Sequence, residues 1–278
     1  GQSGWAFSAV LQVTAGPSMQ NGRALRKIAA IDIGTNSTHL LVASVDPELR
    51  TFSIELAEKS TTRLGERDPE TGNLSEAAIE RGLEALRRFR ELALSHQVEQ
   101  IVTAATSAVR EAPNGRDFLQ AIQDQLELEV DLISGPEEAR LIYLGVLSGM
   151  SFGDCPHLVL DIGGGSTELI LADGRDARAL TSTRVGAVRL QRDFVKDDPM
   201  PQQRRTFLQA FIQGSLEPAV NKVLRRIKPE ETPVMVATSG TAMAIGALAA
   251  SEEDRPPLKL HGYRASKQRL DRVVERLG

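Results

Sequence analysis

One pattern, present twice, limits what this chain can fold into more than any other feature. Leu158-Val159-Leu160-Asp161-Ile162-Gly163-Gly164-Gly165-Ser166-Thr167-Glu168-Leu169-Ile170-Leu171 is an apolar run that stops at an aspartate, crosses three glycines and becomes apolar again. Ile31-Asp32-Ile33-Gly34-Thr35-Asn36-Ser37-Thr38-His39-Leu40-Leu41-Val42-Ala43 has the same layout at an offset of 129 residues (161 − 32). Asp, Ile, Gly, Ser, Thr, Leu and Ala recur in register; His39 stands where Glu168 stands, and Thr35-Asn36 replace two glycines. Glycines this dense would cost a helix about 1 kcal/mol each, so each copy reads as two strands joined by a short turn. A repeat this far apart is too long for a solenoid unit and points to two similar lobes.

Turns of this composition carry chemistry. Without Cβ atoms, Gly163, Gly164 and Gly165, followed by Ser166, can bring several backbone N–H groups to one anion. Gly34, Thr35, Asn36 and Ser37 can do the same in the first copy. Asp161 and Glu168 flank the second turn, placed to hold a hard divalent cation such as Mg²⁺ beside a phosphate. The plain alternative is a tight hairpin with solvated acids, which needs only one or two special positions. Two such hairpins facing each other across a cleft would grip a phosphoanhydride from both sides.

The rest of the composition is that of a globular protein, with 278 residues, 41% hydrophobic and 25% charged. A net charge of −4 gives no electrostatic attraction to DNA or to a membrane surface, so affinity for a polyanion must come from local donors. The single Cys155 excludes an internal disulfide and suits a reducing cytoplasm. No apolar run reaches the length of a membrane span. Residues 1–26 read as a leader outside the fold; Trp5 to Val13 is apolar but lacks a preceding basic segment, and Met19 is a candidate natural start.

Lobe one is expected over 27–150. Ile28 to Ile33, Leu40 to Val45 and Phe52 to Leu56 read as consecutive strands. Ser75 caps a helix to about His96 with Ile79, Leu83, Leu86, Phe89 and Ala93 inward. A strand over Gln100 to Ala105 delivers Thr106-Ser107-Ala108-Val109-Arg110-Glu111 into the region where α/β proteins place their sites. Ser107 can hold a phosphate there, and Arg110 can do the same or simply pair with an acid. Glu111 can activate water, or can simply be a solvated acid. Arg63 could point into the cleft or lie on the surface. Gly135-Pro136-Glu137-Glu138 has helix-start signals, and that helix runs to about Gly149, where Gly149 and Gly153 bracket a hinge-like stretch. Lobe two, 151–278, repeats the order, with strands over Leu180 to Val185 and Val234 to Thr238 and a long helical region from Pro201 to Arg226. Ser239-Gly240-Thr241 then offers N–H groups to an anion before an Ala-rich helix.

Four motifs in order now carry a resemblance: Asp32 to Ser37; Thr106 to Ala112 with Asn114; Ser134-Gly135-Pro136-Glu137-Glu138-Ala139; and Asp161 to Glu168. Together they resemble the exopolyphosphatase/guanosine pentaphosphate phosphohydrolase (Ppx/GppA) family, from about Ile28 onward. The resemblance implies an α/β fold of two ribonuclease-H-like lobes about a cleft, within the actin and sugar-kinase superfamily. It implies Glu111 as the catalytic base, Asp161 and Glu168 as metal-binding acids, the two turns as phosphate loops and Gly240 as part of a third. The implied substrate is inorganic polyphosphate or guanosine pentaphosphate, cleaved to release terminal orthophosphate. The chain stops after a helix near Leu277, where that family continues, so lobe two reads as incomplete; family members often dimerise, so the resemblance leaves a homodimer open without fixing the oligomeric state. Two other classes share the hairpins: a kinase or ATPase of the same superfamily, and a non-catalytic sensor of guanosine tetra- or pentaphosphate.

Overall fold

The computed structural model describes residues 18–20, 23–49, 51–150, 152, 155–174, 176–253 and 260–277. The apolar stretch 5–13 and Gly153 lie outside the described residues. The first sheet contains β1 (Ser18–Gln20), β2 (Arg23–Ile33), β3 (Thr38–Asp46), β4 (Thr51–Ser60), β5 (Gln100–Ala105) and β6 (Val130–Leu132). Its order is β4-β3-β2-β5-β6, with β1 antiparallel to the start of β2. β2 therefore begins at Arg23, ahead of the boundary expected at residue 27, and Arg26 is already buried, 3.1 Å from Glu99. Ile28, Ala29, Ala30 and Ile31 are fully buried, which is why this strand reads as a continuous apolar run: both of its faces are covered.

The second sheet contains β7 (His157–Ile162), β8 (Thr167–Ala172), β9 (Ala177–Thr183) and β10 (Val234–Thr238), in the order β10-β7-β8-β9. The pairing repeats that of the first sheet: two antiparallel hairpin partners on one side and one parallel strand on the other. Among the described residues the second sheet has no counterpart of β6. β9 ends at Thr183 rather than Val185, because the chain turns there to start a helix.

The helices are α1 (Glu76–Ser95), α2 (Ser107–Arg110), α3 (Gly115–Leu126), α4 (Gly135–Gly149), α5 (Ala187–Phe194), α6 (Gln202–Leu224), α7 (Ser239–Ser251) and α8 (Lys267–Leu277). Ser75 caps α1, its Oγ accepting from the Ala78 N–H at 3.2 Å. Leu86 and Phe89 of α1 meet Phe118 and Ile122 of α3 and the Ile31, Leu40 and Val42 face of the first sheet. Ile79 and Leu83 pack at the edge of this core rather than within it. α4 packs against β9 and β8 and lies between the sheets. There Ile142 and Tyr143 join Ile28, Ala30 and Leu41 of the first sheet to Val159 and Ile170 of the second in one cluster. Among the described residues no helix is long and apolar enough to cross a membrane.

Candidate active site

The two duplicated turns are closed in the same way. In the first, Asp32 lies opposite His39 and Ile33 opposite Thr38; in the second, Asp161 lies opposite Glu168 and Ile162 opposite Thr167. The Gly34 N–H donates to the Ser37 carbonyl at 3.1 Å, and the Gly163 N–H to the Ser166 carbonyl at 2.9 Å. These two amides bond within their own turns and hold them shut. Thr35 and Asn36 also accept through their carbonyls, from the Gly65 N–H at 2.8 Å and the Arg63 N–H at 2.9 Å, which fixes the turn to the chain after β4. Arg63 itself lies on the surface, 3.7 Å from Glu66.

The turns meet each other directly. Thr35 Oγ1 and Ser107 Oγ are 3.0 Å apart, and a Cβ built on Gly165 would sit 2.3 Å from Ser107 Oγ and 2.7 Å from Thr35 Oγ1. Gly164 and Gly165 are thus glycines because the opposite lobe leaves no space for a side chain. Helix α5 grips the second turn from behind: the Ala187 and Arg189 N–H groups donate to the carbonyls of Gly163 and Gly164, both at 3.0 Å. The sequence does not mark this helix, since α5 is short, has no fully buried residue and follows a segment that resembles a strand.

Beside this contact stand four acids. Thr238 Oγ1 donates to Asp161 Oδ2 at 2.5 Å, and Ser182 Oγ donates to Glu168 Oε1 at 2.7 Å, so one row crosses the second sheet from β10 to β9. Glu138, in the first turn of α4, is brought to this row because α4 presses onto β9: a Cβ on Gly135 would lie 2.6 Å from the Ser182 Cβ. Arg110 Nη1 donates to the Ile133 carbonyl at 2.6 Å and to Glu138 Oε2 at 3.4 Å. Burial, then the charge of Glu168, holds Glu138 well above the ordinary carboxylate range; Arg110 opposes the rise, and Asp32 and Asp161 add to it. Burial raises Glu168 to about 7, the Ser182 hydrogen bond opposing and the Asp161 charge adding. Burial also pushes Asp161 up, against the hydrogen bond from Thr238.

Two adjacent, desolvated oxygen donors raised in this way fit a hard divalent cation, which would relieve their repulsion. Among the described residues no group of three His, Cys, Asp or Glu side chains could hold a metal ion. Asp161 and Glu168 would supply two ligands, the number with which Mg²⁺ is commonly held when phosphate oxygens complete its shell.

Glu111 is placed elsewhere. Its Oε2 accepts from Arg189 Nη2, and its Oε1 lies 3.6 Å from Arg184 Nε. The carboxylate faces guanidinium groups and a cavity beyond them, whereas Glu138 faces the acids. Ser239 closes the third loop with φ of 83°, a region that favours glycine, and its Oγ donates to the Ile162 carbonyl at 2.7 Å. A Cβ on Gly240 would meet nothing within 4 Å, so the start of α7 faces open space. In the sequence Glu138 has the pattern of an ordinary first-turn acid. Its only earlier signal was its place in the Gly135-Pro136-Glu137-Glu138 motif.

A sequence profile of the Ppx/GppA phosphatase family matches residues 41–278. The exopolyphosphatase 2 of Mycobacterium tuberculosis is 33% identical over 261 residues, 91% of this chain and 80% of that protein. The guanosine-5'-triphosphate,3'-diphosphate pyrophosphatase of Vibrio vulnificus is 37% identical over 218 residues, 78% of this chain and 42% of that protein. Among solved structures, an exopolyphosphatase from Cytophaga hutchinsonii superposes with a TM-score of 0.81 at 28% identity, over 91% of this chain and 80% of the other. A Ppx/GppA family member from Aquifex aeolicus superposes with a TM-score of 0.71 at 29% identity, over 91% and 78%.

Proposed function

Because the chain belongs to the Ppx/GppA phosphatase family, we propose that it hydrolyses the terminal phosphoanhydride of inorganic polyphosphate or of guanosine pentaphosphate. The relatives named for exopolyphosphatase and for guanosine-5'-triphosphate,3'-diphosphate pyrophosphatase activity support that substrate class. The observation that supports the reading is the close approach of Gly164 and Gly165 of the second turn to Thr35 of the first, beside Asp32, Glu138, Asp161 and Glu168, with Arg110 against Glu138. Phosphoryl transfer asks a protein mainly for positioning and charge neutralisation around an in-line water, phosphorus and leaving oxygen.

Donors of Thr35, Asn36, Ser37, Gly164, Gly165 and Ser166 would orient the terminal phosphates between the lobes, and Gly240 leaves room for them at the third loop. Mg²⁺ on Asp161 and Glu168 would supply charge neutralisation at the phosphate oxygens. Glu138, rather than Glu111, takes the water's proton as its oxygen bonds to phosphorus and the bridging P–O bond breaks. Arg110 favours the ionised form of Glu138 that this step needs, and its guanidinium would also hold a phosphate oxygen.

The test is phosphate release from long polyphosphate, short polyphosphate and guanosine pentaphosphate side by side, for the wild type, Glu138→Gln and Glu111→Gln. General-base assistance contributes about 10²–10⁴-fold, so Glu138→Gln should lose that much in kcat on the preferred substrate, and Glu111→Gln far less. A Glu138→Gln protein that keeps most of its turnover would remove that residue from the role. No release from any of the three by the wild type would end the hydrolase reading.

A further inference from the structure

Behind the paired turns, arginines gather around Glu111. Arg67, Arg189 and Arg192 line a cavity of about 420 Å³ together with Asp68, Glu111 and Asp193. The cavity is tied to the second turn, since Arg189 Nε donates to the Gly165 carbonyl at 2.9 Å.

Asp68 and Asp193 are engaged close by, while Glu111 is engaged through Oε2 and keeps a buried Oε1 with no hydrogen-bond partner among the described residues. Asp68 Oδ1 caps its own loop, accepting from the Glu70 and Thr71 N–H groups at 3.1 and 2.7 Å and from Thr71 Oγ1 at 2.7 Å. Asp193 takes Arg192 through two bonds of 2.6 and 3.1 Å. Glu111 takes Arg189 and stands near Arg184. Arg67 is left over. Its Nη2 donates to the Ala108 carbonyl, while its Nη1 is shut off from water with no hydrogen-bond partner among the described residues. Burial, and then the neighbouring charge of Arg192, push the Arg67 guanidinium below its ordinary value; Glu111 opposes and Arg189 adds to the fall. A desolvated cation with an unmet donor costs stability unless an anion joins it. A planar guanidinium fork beside two others matches the oxygens of a phosphoryl group.

We propose that this cavity is a second phosphoryl-binding subsite, anchored by Arg67 and completed by Arg189 and Arg192, apart from the four acids. Glu111 is its resident counter-ion, holding Arg189 when no phosphoryl group is present. The occupant is either a phosphate further along an extended substrate or free orthophosphate; only that choice of source rests on the hydrolase reading.

Calorimetric titration without divalent cations tests it, using triphosphate and, separately, orthophosphate as probes. Arg67→Gln should weaken triphosphate binding about tenfold or more, the loss of one charge-assisted phosphate contact. Arg88→Gln removes an exposed arginine paired with Glu58 and should leave affinity within about twofold, because exposed pairs contribute little. Glu111→Gln removes the competing carboxylate and should tighten binding, which a purely structural role for Glu111 would not do. A triphosphate effect much larger than the orthophosphate effect assigns the subsite to an extended substrate; equal effects assign it to the released ion. Unchanged affinity in a folded Arg67→Gln protein overturns the proposal. If that variant does not fold, Arg67→Lys and Glu111→Gln decide: the proposal stands if the first keeps most of the affinity and the second gains, and falls if Glu111→Gln binds no more tightly than wild type. Arg67-dependent binding with no phosphate release in Mg²⁺ would sink the hydrolase reading alone, and release with Arg67-independent binding would sink the subsite alone.

Discussion

Gly186 and Gly240 separate two reasons for having no side chain. A Cβ on Gly186 would lie 2.5 Å from the backbone carbon and oxygen of Gly164 and from the carbon of Gly165. Backbone atoms cannot swing aside, so Gly186→Ala should cost about 1–3 kcal/mol in thermal unfolding, the usual penalty for overpacking. Gly240 meets nothing, and Gly→Ala in an unstrained helical turn stabilises by about 0.4–1 kcal/mol. Gly240→Ala should therefore melt at or above the wild-type temperature while binding triphosphate more weakly. Equal binding by that variant would take Gly240 out of the third phosphate loop. His39 gives the pH counterpart. Burial, then the charge of Lys59, lowers its pKa from 6.5 to about 4. Between those values the unfolded chain binds the extra proton, so this contribution is full above pH 6.5 and disappears as pH falls through about 4. Its ceiling is about 3 kcal/mol, reduced by whatever water still reaches the ring. The stability difference between wild type and His39→Gln, followed by urea unfolding, should shrink from pH 7 to pH 4; parallel curves would deny His39 this role.

At the scale of elements, what could be read from sequence and what could not have separate physical causes. β2, β3, β5, β7, β8 and β10 were legible because each is a compact run of branched apolar residues, and α1 because Ser75 and a regular stripe mark it. α5 was not legible: its eight residues, Ala187–Phe194, carry no buried stripe, and its purpose is to hold two carbonyls of a turn. The same limit applies to the site. Asp161, Glu168 and the turns announce themselves by local pattern. Glu138 acquires its environment only when α4 lies on β9, and Arg67 meets Arg189 only through the folded chain. Asn114 is a quieter example, recognised as part of a motif but acting as a clamp. Its Oδ1 accepts from the Leu74 N–H at 2.8 Å and its Nδ2 donates to the Leu74 carbonyl at 3.1 Å, fixing the chain ahead of α1 to the loop after α2. Asn114→Ala should cost about 1–3 kcal/mol in denaturant unfolding, the range for leaving buried partners unmet. A loss of a few tenths would mean that water replaces the clamp.

For the whole molecule, the placement of α4 decides whether the two sheets behave as separate bodies. Its sequence follows the first sheet, yet it packs on β8 and β9, and its Ile142 and Tyr143 share one cluster with β2, β3, β7 and β8. Each sheet thus buries one face against the same helix, and neither can lose α4 without exposing its own apolar surface. That coupling matters for the chemistry, because Glu138 rides on α4 while Asp32 and Asp161 belong to different sheets. Ile142 is 4% exposed, and truncating a buried isoleucine to alanine costs about 2–5 kcal/mol through lost burial and the cavity left behind. If the two sheets open as one cooperative unit, Ile142→Ala should lower the hydrogen-exchange protection of the β2–β3 amides and of the β7–β8 amides by the same free energy. Phe118 offers the contrast. It lies in the core beneath α1 and α3, away from α4, and Phe118→Leu should weaken protection in the first sheet directly and in the second only through global unfolding. Protection lost from one hairpin alone in Ile142→Ala would mean that the lobes unfold independently, and that a helix resting against both does not bind them into one unit.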